Sequence, residues 1–436
     1  MQAGNPGGSR RPHRIAVIGA GYAGLACAVE LAAAGRAVTV FESSKVLGGR
    51  ARVLEWDGLR LDNGQHLLSG AYAELLRLMR LVDPHSDSLF RRLPLDLRFV
   101  QGFRLRVPRL PAPLHLAAAL VAARGPGWRE RLAAVCFMRA LKKGRYRLAQ
   151  DTDVASLLAQ HGQGEKLRRY LWDPLCLAAL NTPPERASAA VFCNVLRDAL
   201  GGNRKASDLL FPAVDLSILF PEPASDWLLG KGAQIVRGNA IRRIELSDHA
   251  VRVDGGDFSH AVLAVGPYAV PALLPPEAAF DPLRAALQNM AHEPIATAYF
   301  RFAPEVRLPG PMLGSASGLI QWVFDRGRID GHHGVLAVVI SASGPHLDLA
   351  RDELLDQLAA ELAKLFPRLP APHARQLVIE RRATFACAPG LARPRNATPH
   401  TRLWLAGDYT AGDYPATLEA AVRSGVRAAR GVLMPV

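Results

Sequence analysis

Two hydrophobic rhythms alternate along this chain. Residues 14–19 form a short apolar run that predicts a strand. Residues 23–34 repeat apolar positions at helical spacing, and residues 36–42 return to a strand after a helix stop at Gly35. These three make a βαβ unit of about 30 residues. Residues 43–70 read as loop, with paired glycines and short alternating runs. A helix is expected over 71–82, and a proline-rich alternating stretch runs from Pro94 to Pro113. Residues 114–148 predict two helices broken at Gly125–Gly127, the second with Trp128, Leu132, Val135 and Met138 on one side and basic residues elsewhere.

The pattern is mostly helical over 153–200. Over 225–265 it gives a helix end followed by short strands, with a turn at Asp254–Gly256. Strands are expected at 295–302, 319–324 and 334–342, a helix at 347–366, strands at 375–386 and 402–407, and a final helix after Pro415. The fold class is α/β: a discontinuous Rossmann-like nucleotide-binding domain plus an α+β substrate domain, the latter an antiparallel sheet with a helical part. The nucleotide domain takes 1–75, 225–270 and 375–436, and the substrate domain takes 76–224 and 271–374.

The chain has 436 residues, and 49% hydrophobic content supports ordinary cores. None of its five cysteines is paired at metal or redox spacing, so a reducing compartment is expected and no metal site. Met1 to Arg14 reads as a disordered start without the apolar core of a signal peptide. No stretch reaches the roughly 18 apolar residues of a spanning helix. A soluble protein, or one peripheral on a membrane, is expected. Lys and Arg number 53 against 39 Asp and Glu, a formal +14. That excess suits anionic partners, although an Ala-, Leu- and Arg-heavy composition also produces it. No basic tract carries interleaved aromatics, so nucleic acid is not expected.

The first turn carries the chemistry. Gly19 permits a tight turn, Gly21 lets a pyrophosphate approach the backbone, and Gly24, after Ala23, lets helix and strand pack closely. The helix N-terminus presents N–H donors and a positive dipole to phosphate. Glu42 lies 18 residues past Gly24, where a carboxylate holds ribose hydroxyls. No second nucleotide fingerprint follows, so one dinucleotide is expected.

GAGYAGLACAVELAAAGRAVTVFESSKVLGGR and LAGDYTAGDYPATLEAAVRSG resemble the flavin amine oxidase and phytoene desaturase superfamily. The resemblance implies FAD. It places Gly48, Gly49 and Arg50 near the diphosphate, and Gly407 and Asp408 at the diphosphate and ribityl chain. Thr417 and Leu418 fall at the helix start facing the flavin pyrimidine, and Ile241 at adenine. LDNGQHLLSGAY, WDPLCLAALNTPPERASAAVF and LLFPAVDLSILFPEPASDWL resemble, more narrowly, the hydroxysqualene dehydroxylases of hopanoid-producing bacteria. There Gly64, Gln65 and His66 stand beside the flavin.

That narrower resemblance implies reductive removal of an allylic hydroxyl from a polyprenyl substrate. The chemistry needs a general acid, a shielded cation and an external reductant or reductase for FAD. His66 is the first candidate acid or orienting group, against a plain buried histidine. Asp173 and Asp215 are alternatives, against roles as helix caps or arginine partners. Tyr414 is a candidate flavin wall, and Phe192, Phe211 and Phe220 candidate tunnel linings, each against simple core packing. A thirty-carbon hydrocarbon must come from a bilayer or a preceding enzyme, which makes 114–148 a candidate surface for an anionic membrane. Two other readings use the same scaffold: a carotenoid desaturase or amine oxidase, and a non-catalytic prenyl carrier.

Overall fold

A computed structural model describes residues 14–434. Of the expected disordered start, Met1 to Arg14, only Arg14 is among the described residues, and its guanidinium donates to Thr39 Oγ1 at 2.9 Å and Gln234 Oε1 at 2.8 Å. Strand β1 (Ile15–Ile18), helix α1 (Tyr22–Ala33) and strand β2 (Val38–Glu42) form the anticipated βαβ unit. They build a five-stranded parallel sheet, in the order Gln234–Arg237, β2, β1, His260–Leu263, Leu403–Leu405. Its inner strands are buried on both faces. Ile15, Val17, Val40 and Val262 pack with α1 and the final helix, while Ala16, Ile18, Ala261 and Leu263 share a core with Val251, Val253 and Phe258 of a small antiparallel sheet, Ile244–Leu246, Val251–Val253 and Gly256–Phe258. The final helix, Leu418–Leu433, packs along α1. A Cβ on Gly425 would stand 2.1 Å from the Ala23 carbonyl oxygen, so glycine sets how closely these helices approach.

A second sheet is antiparallel, in the order Met312–Gly314, Trp322–Asp325, Val335–Ser341, His292–Arg301, Ala374–Phe385. Its alternation sorts side chains to two sides. Phe300, Val338 and Ile340 meet Leu354, Leu358 and Leu362 of the covering helix Arg351–Leu365, while Tyr299, Ala337 and Val339 join the core shared with the nucleotide domain. Strand Ala374–Phe385 corrects the domain division. Sequence adjacency assigned it to the nucleotide domain, yet it pairs with His292–Arg301 over nearly its whole length. Backbone pairing with a strand some eighty residues earlier decided its place.

Two local features also depart from expectation. Residues 43–70 contain a hairpin, Val53–Trp56 with Leu59–Asp62, turned at Asp57 (φ 50°) and Gly58 (φ 72°). The Asp-Gly pair was its sequence signal. The helices Leu114–Val121 and Trp128–Lys143 form as expected, but the second has two apolar sides. Phe137, Met138 and Leu141 face inward while Trp128 and Leu132 are exposed.

Candidate active site

The glycine turn is shaped by collisions that only glycine avoids. A Cβ on Gly24 would lie 1.9 Å from the Gly19 carbonyl oxygen, and one on Gly19 would lie 2.6 Å from that of Ala264. Gly19 also has φ 107°, a left-handed region that L side chains rarely adopt. A Cβ on Gly21 would meet nothing closer than 3.9 Å, the Gly48 carbonyl oxygen and Gly49 Cα, so no collision requires glycine here. Gly21 caps α1 without a side chain, leaving the leading N–H groups of the helix free of a side-chain cap. Glu42, at the end of β2, is buried. Its Oε2 accepts from the Ala20 N–H at 2.7 Å and its Oε1 from the Ser44 N–H at 2.9 Å.

The second glycine pair folds back onto the first. Gly48 N–H donates to the Ala20 carbonyl at 3.0 Å, and Gly48 and Gly49 both have positive φ, 109° and 64°. This return brings Arg50 to Asp408: Nη2 lies 2.7 Å from both carboxylate oxygens. Nη1 donates to the Ala383 carbonyl at 2.5 Å, so one guanidinium joins the nucleotide domain to the antiparallel sheet. Beside this pair opens a cleft of about 550 Å³ lined by Tyr268, Leu287, Met290, His292 and Arg382, with Arg382 stacked 4.4 Å over the Tyr268 ring.

Asn63 to His66 bridge the two domains. Asn63 Nδ2 donates to the Arg50 carbonyl at 3.3 Å. Gly64 has φ 142°. The Gln65 N–H donates to Thr297 Oγ1 at 3.4 Å, and Gln65 Oε1 accepts from Arg326 Nη1 at 2.9 Å. Arg326 is fully buried and also pairs with Asp62 (3.4 Å) and Asp330. Tyr299 donates to the Asp62 carbonyl at 2.9 Å. The sequence reading missed Arg326, Asp330, Thr297 and Tyr299. They are ordinary residues of a distant sheet and short helix, with no local signal.

His66 Nδ1 lies 2.8 Å from the Gly64 carbonyl oxygen. A carbonyl only accepts, so Nδ1 carries a proton and a neutral ring leaves Nε2 as an acceptor. Burial lowers the His66 pKa, and the Asp62 carboxylate works against that shift. Burial also raises the Asp62 pKa, with Arg326 opposing.

The other candidates have different employment. Asp215 caps the short helix Leu216–Leu219, accepting from the N–H groups of Ser217 and Ile218, and pairs with Arg60 at 2.9 Å. Both carboxylate oxygens accept hydrogen bonds there, which gives Asp215 the helix-cap and arginine-partner roles. Asp173 follows a π-helical turn, Arg168–Trp172, with Oδ1 3.8 Å from Arg168 Nε, and burial raises its pKa. Among the described residues no hydrogen bond or ion pair joins Asp173 to the Asn63–His66 segment. The Tyr414 hydroxyl donates to Asp198 at 2.5 Å, tying the approach to the final helix to helix Ala189–Ala199. Burial and that bond push its pKa up to about 12.

Phe192, Phe211 and Phe220 are core residues. All are fully buried, Phe220 packing 5.5 Å from the Tyr22 ring beneath the glycine turn, and none borders the cleft at Tyr268 and Arg382. An apolar cavity of about 20 Å³ lies elsewhere, among Leu97, Leu105, Leu116, Leu120, Leu171 and Trp172. Thr417 caps the final helix by accepting from the Ala420 N–H at 3.2 Å, and Leu418 follows as its first residue. Ile241 sits half-buried between Gln234–Arg237 and Ile244–Leu246.

These residues suit FAD. The bare N-terminus of α1 and the Arg50 guanidinium would hold an anionic diphosphate. Glu42 and Asp408 supply acceptors for sugar and ribityl hydroxyls. Gly21 leaves the room that a backbone contact needs.

Comparison with known proteins follows the same lines. The family model for flavin containing amine oxidoreductase matches residues 22–433. A hydroxysqualene dehydroxylase of Sinorhizobium fredii is 32% identical over 432 residues, 96% of this chain and 98% of that protein. One of Rhodopseudomonas palustris is 33% identical over 433 residues, with 96% and 98% covered. The fold is similar to cyclohexylamine oxidase from Brevibacterium oxydans, with a TM-score of 0.70, 18% identity and 97% and 99% of the two chains covered.

Proposed function

The chain belongs to the flavin containing amine oxidoreductases, its cofactor is FAD, and we propose that it removes the hydroxyl of hydroxysqualene reductively to give squalene. The observation that carries this reading is the match to two hydroxysqualene dehydroxylases over 96% of the chain. The matches extend over nearly the whole chain and so are not confined to the nucleotide cradle.

When bound and reduced, FAD supplies the hydride. The allylic C–O bond breaks with both electrons going to oxygen, which takes a proton and leaves as water. The incoming hydride provides the electron pair of the new C–H bond. An external reductant or reductase completes the cycle.

The protein's part is to hold the hydroxyl, deliver the proton and keep water from the cation. Neutral His66, with Nδ1 committed to the Gly64 carbonyl, accepts the hydroxyl hydrogen at Nε2 and orients it. The imidazolium form donates a proton from Nε2 to the departing oxygen. Gln65 and Arg326 fix the loop that carries the ring.

The test is anaerobic turnover of hydroxysqualene by photoreduced holoenzyme. Squalene should form in step with flavin reoxidation, and deuterium delivered from the flavin should appear in the product. No squalene, or hydride removal from phytoene with an added acceptor, would replace this reading by a desaturase.

A further inference from the structure

Residues 106–147 hold ten Lys and Arg against one acid, Glu130, a surplus of nine within a chain whose formal charge is +14. Glu130 is already engaged, accepting from the Gly127 N–H at 2.9 Å to cap helix Trp128–Lys143. The positive charge is therefore concentrated on one part of the molecule. Arg106, Arg109, Arg124, Arg129, Arg139, Lys142, Lys143, Arg145 and Arg147 are all exposed there.

The same segment holds the densest exposed hydrophobic side chains. Of twelve large exposed hydrophobics among the described residues, five lie between Leu110 and Leu132: Leu110, Leu114, Val121, Trp128 (69% exposed) and Leu132 (54%). Leu114 and Val121 are seven residues apart and share one side of their helix. Arg131 of the second helix donates to the Val121 carbonyl at 3.1 Å, which brings the two helix ends together. Trp128 and Leu132 are one turn apart, and Arg129 lies 5.4 Å over the Trp128 ring. Scattered exposed hydrophobics need no explanation, but a cluster bordered by one sign of charge does.

We propose that this surface, built by the loop 109–113 and the helices Leu114–Val121 and Trp128–Lys143, docks the protein onto an anionic lipid bilayer. A protein partner would need matching acidic groups at fixed positions. An anionic bilayer supplies both an apolar interior for Trp128 and the leucines and a continuous negative surface for the arginines. Helix Leu114–Val121 is also two-sided, because Leu116 and Leu120 line the apolar cavity with Trp172 while Leu114 and Val121 face out. One helix thus separates the docked bilayer from an apolar interior. The docking stands on charge and exposure and does not require the hydroxysqualene reading.

The test uses the full-length holoprotein with phosphatidylcholine vesicles, with and without phosphatidylglycerol. Binding is expected only with phosphatidylglycerol, with release by high salt and a blue shift of tryptophan emission that Trp128→Phe removes. Trp128→Ser with Leu132→Ser, and separately Arg129→Gln, Arg139→Gln, Lys142→Gln and Lys143→Gln together, should each weaken binding, the latter by roughly a hundredfold or more. All six positions are exposed, so folding is spared. Wild-type protein that ignores both vesicles, variants that bind like wild type, or self-association without lipid binding would overturn the proposal. Turnover in detergent without vesicle binding would defeat docking alone, and vesicle binding without turnover would defeat the substrate reading alone.

Discussion

Arg50 and Asp408, 358 positions apart, meet with the guanidinium Nη2 2.7 Å from both carboxylate oxygens. The pair closes the two ends of the chain over one nucleotide cradle. Through the Ala383 carbonyl, Arg50 also fixes the antiparallel sheet against it.

Arg50→Ala and Asp408→Asn should each lower FAD occupancy of the purified protein. The double variant should lose less than the sum of the two, with a coupling of about 0.5–3 kcal/mol. Flavin titration of the apoproteins measures it. Additive losses would mean that the two side chains hold the cofactor independently.

Arg326→Met should destabilise the protein by about 3–5 kcal/mol, because it strands the buried carboxylates of Asp62 and Asp330. Denaturant unfolding gives the number. Adding Asp330→Asn to Arg326→Met should recover part of the loss. If it recovers nothing, the charge cluster is not the source of the cost.

Turnover should rise as pH falls below the ordinary histidine value of 6.5, because burial lowers the His66 pKa and only its imidazolium has a proton at Nε2. His66→Gln should flatten this acid rise and lower kcat by about 10²–10⁴ while leaving FAD bound. A pH profile that keeps its shape in the variant would assign the proton to another group.

Stability should run the other way. His66, His115, His292 and His346 all have pKa values lowered by burial, so the unfolded chain takes up protons first. Their contribution is complete above the unfolded value of about 6.5 and is lost as pH falls through it. His115 is buried with neither ring nitrogen hydrogen-bonded. His115→Leu should stabilise the protein by about 1–3 kcal/mol and shrink the drop in Tm between about pH 7.5 and about pH 5.5. A destabilised His115→Leu would show that the ring has a partner in solution.

The glycine turn, Glu42 and the final helix were legible because each is local, whereas the paired glycines before Arg50 were placed only by resemblance. A phosphate cradle needs particular backbone angles, and those angles need glycine at fixed spacing. The two helices, the second of them basic, and their Gly125–Gly127 break were legible for the same reason. The candidate acids and aromatics were less so. Asp215 and Phe220 lie in a recognisable motif, yet one caps a helix and the other packs beneath the glycine turn.

The sequence by itself determined the kind of cofactor cradle, the element order and the presence of a basic, partly apolar segment, since these follow from periodicity and backbone constraint. Only the tertiary structure decided that Ala374–Phe385 joins the antiparallel sheet, that Arg326 anchors the His66 loop, and that Trp128 and Leu132 face outward while Met138 turns in. Strand partners, buried charge pairs and the exposed side of a helix are set by contacts between residues far apart in the chain. No local pattern encodes which distant surface arrives to cover a given side chain.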